Sequence, residues 1–414
     1  MVEQSLTVGL APSGTLDGMD DIIVIGGRAA GAPTAMLLAR AGFQVRVVER
    51  SPELTETLMG IVVQVAGTAR LRAWGLLDAV LATGCPRIRD ARAWVDGREW
   101  APETGPDTTA ATGIHPAERA GAPWGPPEAF ALAPRRSALD PVLLDGARRA
   151  GATVELGNAL RGLLTDRDRV TGVSTDRGDY RARLVVGADG RNSRLAQLVD
   201  APKYIDQAPA TYLYYGYWDR PISGLRLFWA ASRLIFMAPT NNNQTMVAYL
   251  APHSGFDAVR RDPMGNYLRI LRSDSQVMEV IDGASMTEPL RGTGDLPTFF
   301  RQSAGPGWAL AGDAGHHKDP LLGRGITDAF RDAELLADAV ISGWDSDLDR
   351  AVLDYQGLRD KLARPLSSAN DSVVAGLEAL PTALTAQGFF WLTKLEPALD
   401  PPRIADQTAS IGLA

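Results

Sequence analysis

The chain has 414 residues, 45% hydrophobic and 22% charged, enough for two or three packed units of ordinary enzyme composition. A formal charge of −7 argues against a nucleic-acid partner, because phosphate binding wants clustered surplus cations, and no run approaches the length of a membrane span. The single cysteine, Cys85, excludes an intramolecular disulfide, suits a reducing cytoplasm and reads as an inert thiol.

Met1 to Gly18 mixes acidic and small residues without the basic-then-apolar order of a secretion signal, and residues 1–19 read as a flexible leader. Asp21-Ile22-Ile23-Val24-Ile25-Gly26-Gly27-Arg28-Ala29-Ala30-Gly31 is a buried strand entering a glycine turn. A helical pattern from Ala32 to Arg40 follows, then a strand from Gln44 to Val48 ending in Glu49. This is the first βαβ unit of a dinucleotide site. The turn and the helix N-terminus would face a pyrophosphate, and Glu49, about 20 residues on, would hold a ribose diol. In the pattern G-x-G-x-x-G, Gly26 and Gly31 fit, but Arg28 takes the second glycine position. A side chain there costs about 1–2 kcal/mol if the turn is left-handed, and little otherwise. It could also aim a cation at the pyrophosphate.

Ala101 to Pro127, rich in Pro, Gly, Ala and Thr, reads as a long loop or lid. Pro134-Arg135-Arg136-Ser137-Ala138-Leu139 leads into a helix through Ala147, with Pro141 tolerable in the first turn. Leu184 to Gly187 is a strand ending at Ala188-Asp189-Gly190, and Asn192-Ser193-Arg194 begins a helix. Asp189 on this reading alone is an Asx cap. Thr211–Trp218, Leu225–Ala231, Leu234–Ala238 and Thr245–Ala251 are short β-branched and aromatic runs, the mark of an antiparallel sheet. Alternation puts Tyr212, Tyr214 and Trp218 on one face and Leu213, Tyr215 and Tyr217 on the other, without selecting a face. Trp308 to Ala311 is a strand ending in Gly312-Asp313. The glycine-punctuated Lys318 to Ile326 follows, then a helix from Thr327 to Ala339. His316 and His317 lack the companions of a metal set. From about Leu353 the pattern is helical, with breaks expected at Pro365, Pro381 and Pro397 and an apolar cluster at Gly388 to Leu392. There is no internal repeat and no second glycine-rich βαβ unit.

The three strand-turn marks at Gly26, Asp189 and Asp313 resemble, in order and spacing, the group A flavoprotein monooxygenases, the superfamily of para-hydroxybenzoate hydroxylase. FAD-dependent halogenases and geranylgeranyl-reductase-type enzymes share these marks, although the W-x-W-x-I-P run of tryptophan halogenases is missing. The resemblance runs from about Asp20 to Leu335 and is closest to members reading G-x-R-x-A-G. It implies an α/β fold: a Rossmann-like FAD domain, a mixed or antiparallel substrate-binding sheet domain and C-terminal helices. The expected FAD domain is discontinuous (residues 20–85, 131–199 and 297–345), with the sheet domain at 86–130 and 200–296 and the helical segment at 346–414. It implies cofactor contacts from Gly26, Arg28, Ala29, Ala30 and Gly31 of the turn, and from Glu49 and Arg50. Arg136 would lie near FAD, with a surface cation as the competing reading, and Leu160 would meet the adenine. Asp189 would belong to the FAD and nicotinamide motif, Asp313 would accept from a ribityl hydroxyl, and His316 and His317 would pack near the cofactor. Pro320, Gly323, Gly325 and Ile326 would border the pyrimidine edge of the flavin, where N–H groups stabilise charge at N1 and O2.

The expected activity is an FAD-dependent monooxygenase. NAD(P)H, docking transiently, reduces the FAD, O2 adds at flavin C4a, and the hydroperoxide oxygenates a mostly apolar or aromatic metabolite. No acid or base is identified. Tyr212 and Tyr214, with Tyr215 and Tyr217, are candidates for easing phenol deprotonation. The alternatives are an FAD-dependent reductase of the geranylgeranyl type, a non-redox flavoprotein cyclase and, most distant, a lipid- or partner-binding protein of related fold. A monomer or homodimer in the cytoplasm, without stable membrane insertion, completes the expectation.

Overall fold

The computed structural model describes residues 19–58, 60–100, 129–230, 232–382 and 385–386. The expected leader, the Ala101 to Pro127 loop, Pro397 and the Gly388 to Leu392 cluster lie outside the described residues.

The strand Asp20–Ile25 is apolar from Ile22 to Ile25 because it is the centre of a parallel sheet covered on both faces. It pairs in parallel with Gly178–Gly187 on one side and Val45–Glu49 on the other. Trp308–Leu310 extends the sheet beyond the first neighbour, and Thr153–Leu156 beyond the second. A hairpin, Leu160–Asp166 with Arg169–Thr175, is joined antiparallel to the start of Gly178–Gly187. The helices Gly31–Arg40, Arg136–Arg149 and Gly325–Gly343 contribute to one apolar core on one face of the sheet. Ile23, Ile25, Val48 and Val185 point to a second core on the other face.

A second sheet of seven strands has Thr211–Trp218, Gln244–Pro252, Arg233–Thr240 and Leu225–Ala230 at its centre. The three pairings between them are antiparallel, as the alternating aromatic runs predict. Ala91–Val95 joins in parallel beside Leu225–Ala230. One face is covered by the helices Pro263–Arg272 and Ser275–Ile281, each started by an aspartate, Asp262 or Asp274, whose carboxylate accepts from the first turn. The opposite face turns toward the first sheet.

The helix Leu348–Ala379 runs for 32 residues through Pro365, so the expected break there does not occur. A proline inside a helix costs about 3 kcal/mol or more. Buried residues on both sides of it, Tyr355, Ala363, Leu366, Val373 and Leu377, offset that cost by keeping one stripe packed. The helix does stop just before Pro381.

Candidate active site

Four parallel strands end within one ring. Ile25, Glu49, Gly187 and Leu310 close their strands, and the residues at or just beyond these ends line a cavity of about 780 Å³. A crevice at the carboxyl ends of parallel strands, beside a strand with neighbours on both sides, is where such sheets bind dinucleotides.

The turn after Ile25 requires glycine at two positions for two reasons. Gly26 has φ of +100°, and a Cβ there would lie 2.5 Å from the Ala188 carbonyl oxygen. Gly31 does not line the cavity. A Cβ on it would lie 1.8 Å from the Gly26 carbonyl oxygen, so it lets the helix start directly over the turn. Arg28 stands outside the left-handed region, so the strain considered for this position does not arise. Its guanidinium lines the cavity, donates to the Thr55 carbonyl at 3.0 Å and pairs with Asp140 at 2.7 Å. Glu49 is buried. It accepts from Gly27 N–H at 2.8 Å and Ser51 N–H at 2.9 Å, which fixes the turn against the second strand.

Asp189 caps a helix and also borders the cavity. Its Oδ2 accepts from the backbone of Arg194 and Leu195, capping the short helix Arg194–Leu198. Its Oδ1 is buried without a partner, and the residue lines the cavity. Burial pushes its carboxyl up from the usual range. Asp313 sits in a single 3-10 turn, Gly312–Ala314, held by a hydrogen bond from Gly312 N–H to Asp332 at 3.1 Å. Beyond it, Asp319 caps the turn Pro320–Leu322 by accepting from Leu321 N–H at 3.0 Å. Gly323 takes φ of +62°, and the helix Gly325–Gly343 begins with its first N–H groups beside the cavity. Ala29, Ala30, Arg50, Arg136 and Leu160 also line it.

The cavity continues to the second sheet, where Leu213, Tyr215, Phe236 and Met246 form its wall. This selects the face that alternation left open. Tyr212 and Tyr214 are therefore a correction: they lie on the far face, packed with Tyr249 and Phe256 under the helices. They cannot reach the cavity. Tyr217 shares the near face but carries the Arg135 guanidinium over its ring at 3.7 Å and does not line the cavity. Thr57, Leu58, Ile61 and Val62 cover the cavity, and Tyr215 donates to the Thr57 carbonyl at 3.2 Å.

Sequence reasoning passed over a set of buried ions. Lys318 pairs with Asp328, to which Arg324 and Arg331 also donate, at 3.0 and 2.8 Å. Burial alone would raise the Asp328 carboxyl, but Arg331, Lys318 and Arg324 hold it well below the usual range. His316, stacked on Phe300, is kept neutral by burial and by Lys318 and Arg359. Burial pushes Asp319 up to about 6 against the hydrogen bond from Thr211. The visible signal was the spacing of Arg324, Asp328 and Arg331, three and four residues apart at the start of an apolar helix. Among the described residues no group of three or more His, Cys, Asp or Glu is placed to hold a metal.

The residues fit FAD: Gly26, Gly323 and Gly325 present bare backbone to the cavity at two turns, one buried carboxylate oxygen of Asp189 has no partner, and the cavity joins a dinucleotide turn to an apolar wall. A parallel sheet of this kind, with a second sheet at its crevice, is the architecture of a dinucleotide-binding protein. Residues 19–216 match the family model described as an FAD binding domain. The 6-methylpretetramide 4-monooxygenase of Streptomyces rimosus is 26% identical over 333 residues, covering 76% of this chain and 73% of that one. The 3-amino-4-hydroxybenzoate 2-monooxygenase PtnB3 of Streptomyces platensis is 29% identical over 358 residues, 82% of this chain and 83% of the relative. The crystal structure of PqsL from Pseudomonas aeruginosa superposes with a TM-score of 0.71 at 21% identity, covering 90% and 99% of the two chains, a likeness of fold. Residues 19–216 thus carry an FAD binding domain, and this chain is an FAD-dependent oxidoreductase similar to flavin-dependent monooxygenases.

Proposed function

We propose that this protein hydroxylates a mostly apolar aromatic small molecule, taking two electrons from NAD(P)H and one oxygen atom from O2 and releasing the other as water. The observation that carries the reading is the continuity of the cavity from the glycine turn to a wall of Leu213, Tyr215, Phe236 and Met246. That wall bears no charge, so an acceptor there is held by shape and ring contact. The two relatives' named substrates are aromatic, which supports the same class.

Bound FAD would supply the redox chemistry, the passage of two electrons from NAD(P)H to O2. The chain's residues do the rest. Gly26 N–H is held by the Val48 carbonyl and Gly27 N–H by Glu49, so the N–H groups of Arg28, Ala29 and Ala30 would take the diphosphate, and Glu49 would take a ribose. Asp313 takes the ribityl chain. Gly325 and Ile326 present N–H groups, at a helix end with about half a positive charge, to the ring's electron-rich edge. The cover formed by Thr57, Leu58, Ile61 and Val62, with the apolar wall, would keep water from the reacting atoms.

The test begins with the visible spectrum of the purified protein, followed by NADPH in air with oxygen uptake recorded across a panel of phenols and polycyclic aromatic acids. Bound flavin with NADPH consumption accelerated by a panel member, and a hydroxylated product, supports the reading. Bound flavin that no nicotinamide reduces points instead to another donor or a non-redox role.

A further inference from the structure

Arg28 stands where dinucleotide turns of this pattern place a glycine, and the structure supplies its partner from 112 residues away. Asp140 lies on the buried side of the helix Arg136–Arg149, with no exposed surface. A carboxylate is rarely buried unless paired. Here two guanidinium groups share it. Arg28 donates to Oδ2 at 2.7 Å, while Arg136 donates to Oδ1 at 2.9 Å and to Oδ2 at 3.0 Å. Both arginines line the cavity and Asp140 does not. Arg28 also reaches the Thr55 carbonyl, two residues before the cavity's cover begins. Arg136 runs past Gly60, where a Cβ would stand 3.4 Å from its Nη1.

We infer that Asp140 is a positioning residue for the cofactor's diphosphate: it gathers Arg28 and Arg136 into one clamp at the glycine turn. This rests on FAD occupying the cavity. Two cations sharing one anion leave one positive charge, held in a fixed place at the point where a diphosphate crosses such a turn. Without the shared carboxylate the two guanidiniums would repel each other and scatter. Planar guanidiniums matched to phosphate oxygens then add charge-assisted hydrogen bonds to those of the turn. The arginine at the glycine position thus supplies a cation where bare backbone ordinarily serves.

The test is the FAD dissociation constant, read from flavin fluorescence, in the wild type, Asp140→Asn, Arg28→Met and the double variant, with thermal melts of each apoprotein. Asp140→Asn is expected to weaken FAD about tenfold and Arg28→Met about fivefold. In the Arg28→Met background the further loss from Asp140→Asn falls to about threefold or less, because only Arg136 is left to position. A loss of equal size in both backgrounds is what a purely structural aspartate produces, and would overturn the inference, as would an unchanged affinity in Asp140→Asn. If Asp140→Asn does not fold, Arg28→Met and Arg136→Met decide: both weakened supports the clamp, either unchanged overturns it. A wild type that binds no FAD overturns the cofactor assignment itself, whereas a wild type that binds FAD with insensitive variants overturns only the clamp.

Discussion

Asp319 is a carboxyl group that burial pushes up to about 6, whereas the unfolded chain releases that proton near 3.9. Between about pH 4 and 6 the native state holds a proton the unfolded state has lost, so this group's contribution to stability falls as pH rises through that window. The full cost, about 3 kcal/mol at most, is present above it. His316 works in the opposite sense. Its folded pKa is depressed, so its cost appears as pH falls below about 6.5. The two overlap, and a difference between variants separates them. Asp319→Asn keeps an oxygen for Leu321 N–H and removes the charge. Its stability relative to the wild type, from urea unfolding at several pH values, is expected to climb between about pH 4 and 6 and level off above. A flat difference would show that Asp319 titrates as an ordinary carboxylate. Asp313 carries a different burden, because it lines the cavity. Asp313→Ala removes one acceptor for a ribityl hydroxyl and should weaken FAD by about tenfold with the apoprotein's melting temperature unchanged. Normal flavin content together with normal flavin reduction would sink that assignment.

At the scale of the element, the strand Thr211–Trp218 has all eight residues buried, which is why its alternation named two faces and chose neither. The choice is made by what covers each side: helices over Tyr212 and Tyr214, the cavity over Leu213 and Tyr215. That contrast is measurable. Tyr214→Ala should cost about 3–5 kcal/mol of stability, the scale for truncating a packed ring, and leave the bound-flavin spectrum as it was. Tyr215→Ala should change which aromatic compounds accelerate NADPH consumption, with flavin content retained. Equal effects of the two on substrate selection would mean the wrong face has been assigned. The same strand shows what was legible beforehand. Its limits were readable from β-branched and aromatic density, as was the Gly26 turn from an apolar run meeting glycines, because both signals are local. Pro365 misled for the complementary reason: local propensity predicts a break, and tertiary packing along Leu348–Ala379 overrides it. Asp140 showed a sequence signal only to Arg136, four residues before it. Its pairing with Arg28 exists only once two elements are packed together.

Across the whole molecule, the cavity wall is assembled from chain segments between Ile25 and Ala329, and both sheets contribute to it. A ligand that fills it must therefore tie the parallel sheet's turns to the antiparallel sheet and to the cover between them. ADP carries only the part of FAD that the turn and Glu49 are proposed to recognise. Both ligands should slow amide hydrogen exchange at the turn residues 26–31 and at the start of Gly31–Arg40, since each supplies a diphosphate to the same N–H groups. FAD alone should extend that protection to residues 57–62 and to Thr211–Trp218, because the flavin end is what meets the second sheet. At a concentration about 100-fold above its dissociation constant, either ligand adds about 2.7 kcal/mol of global stability by mass action. Matching the two ligands at equal saturation therefore removes the global term and leaves the regional difference. Protection of the antiparallel sheet by ADP to the same degree as by FAD would mean that the two sheets respond as one unit to occupancy of the turn. In that case the wall formed by Leu213, Tyr215, Phe236 and Met246 would not be reading the flavin at all.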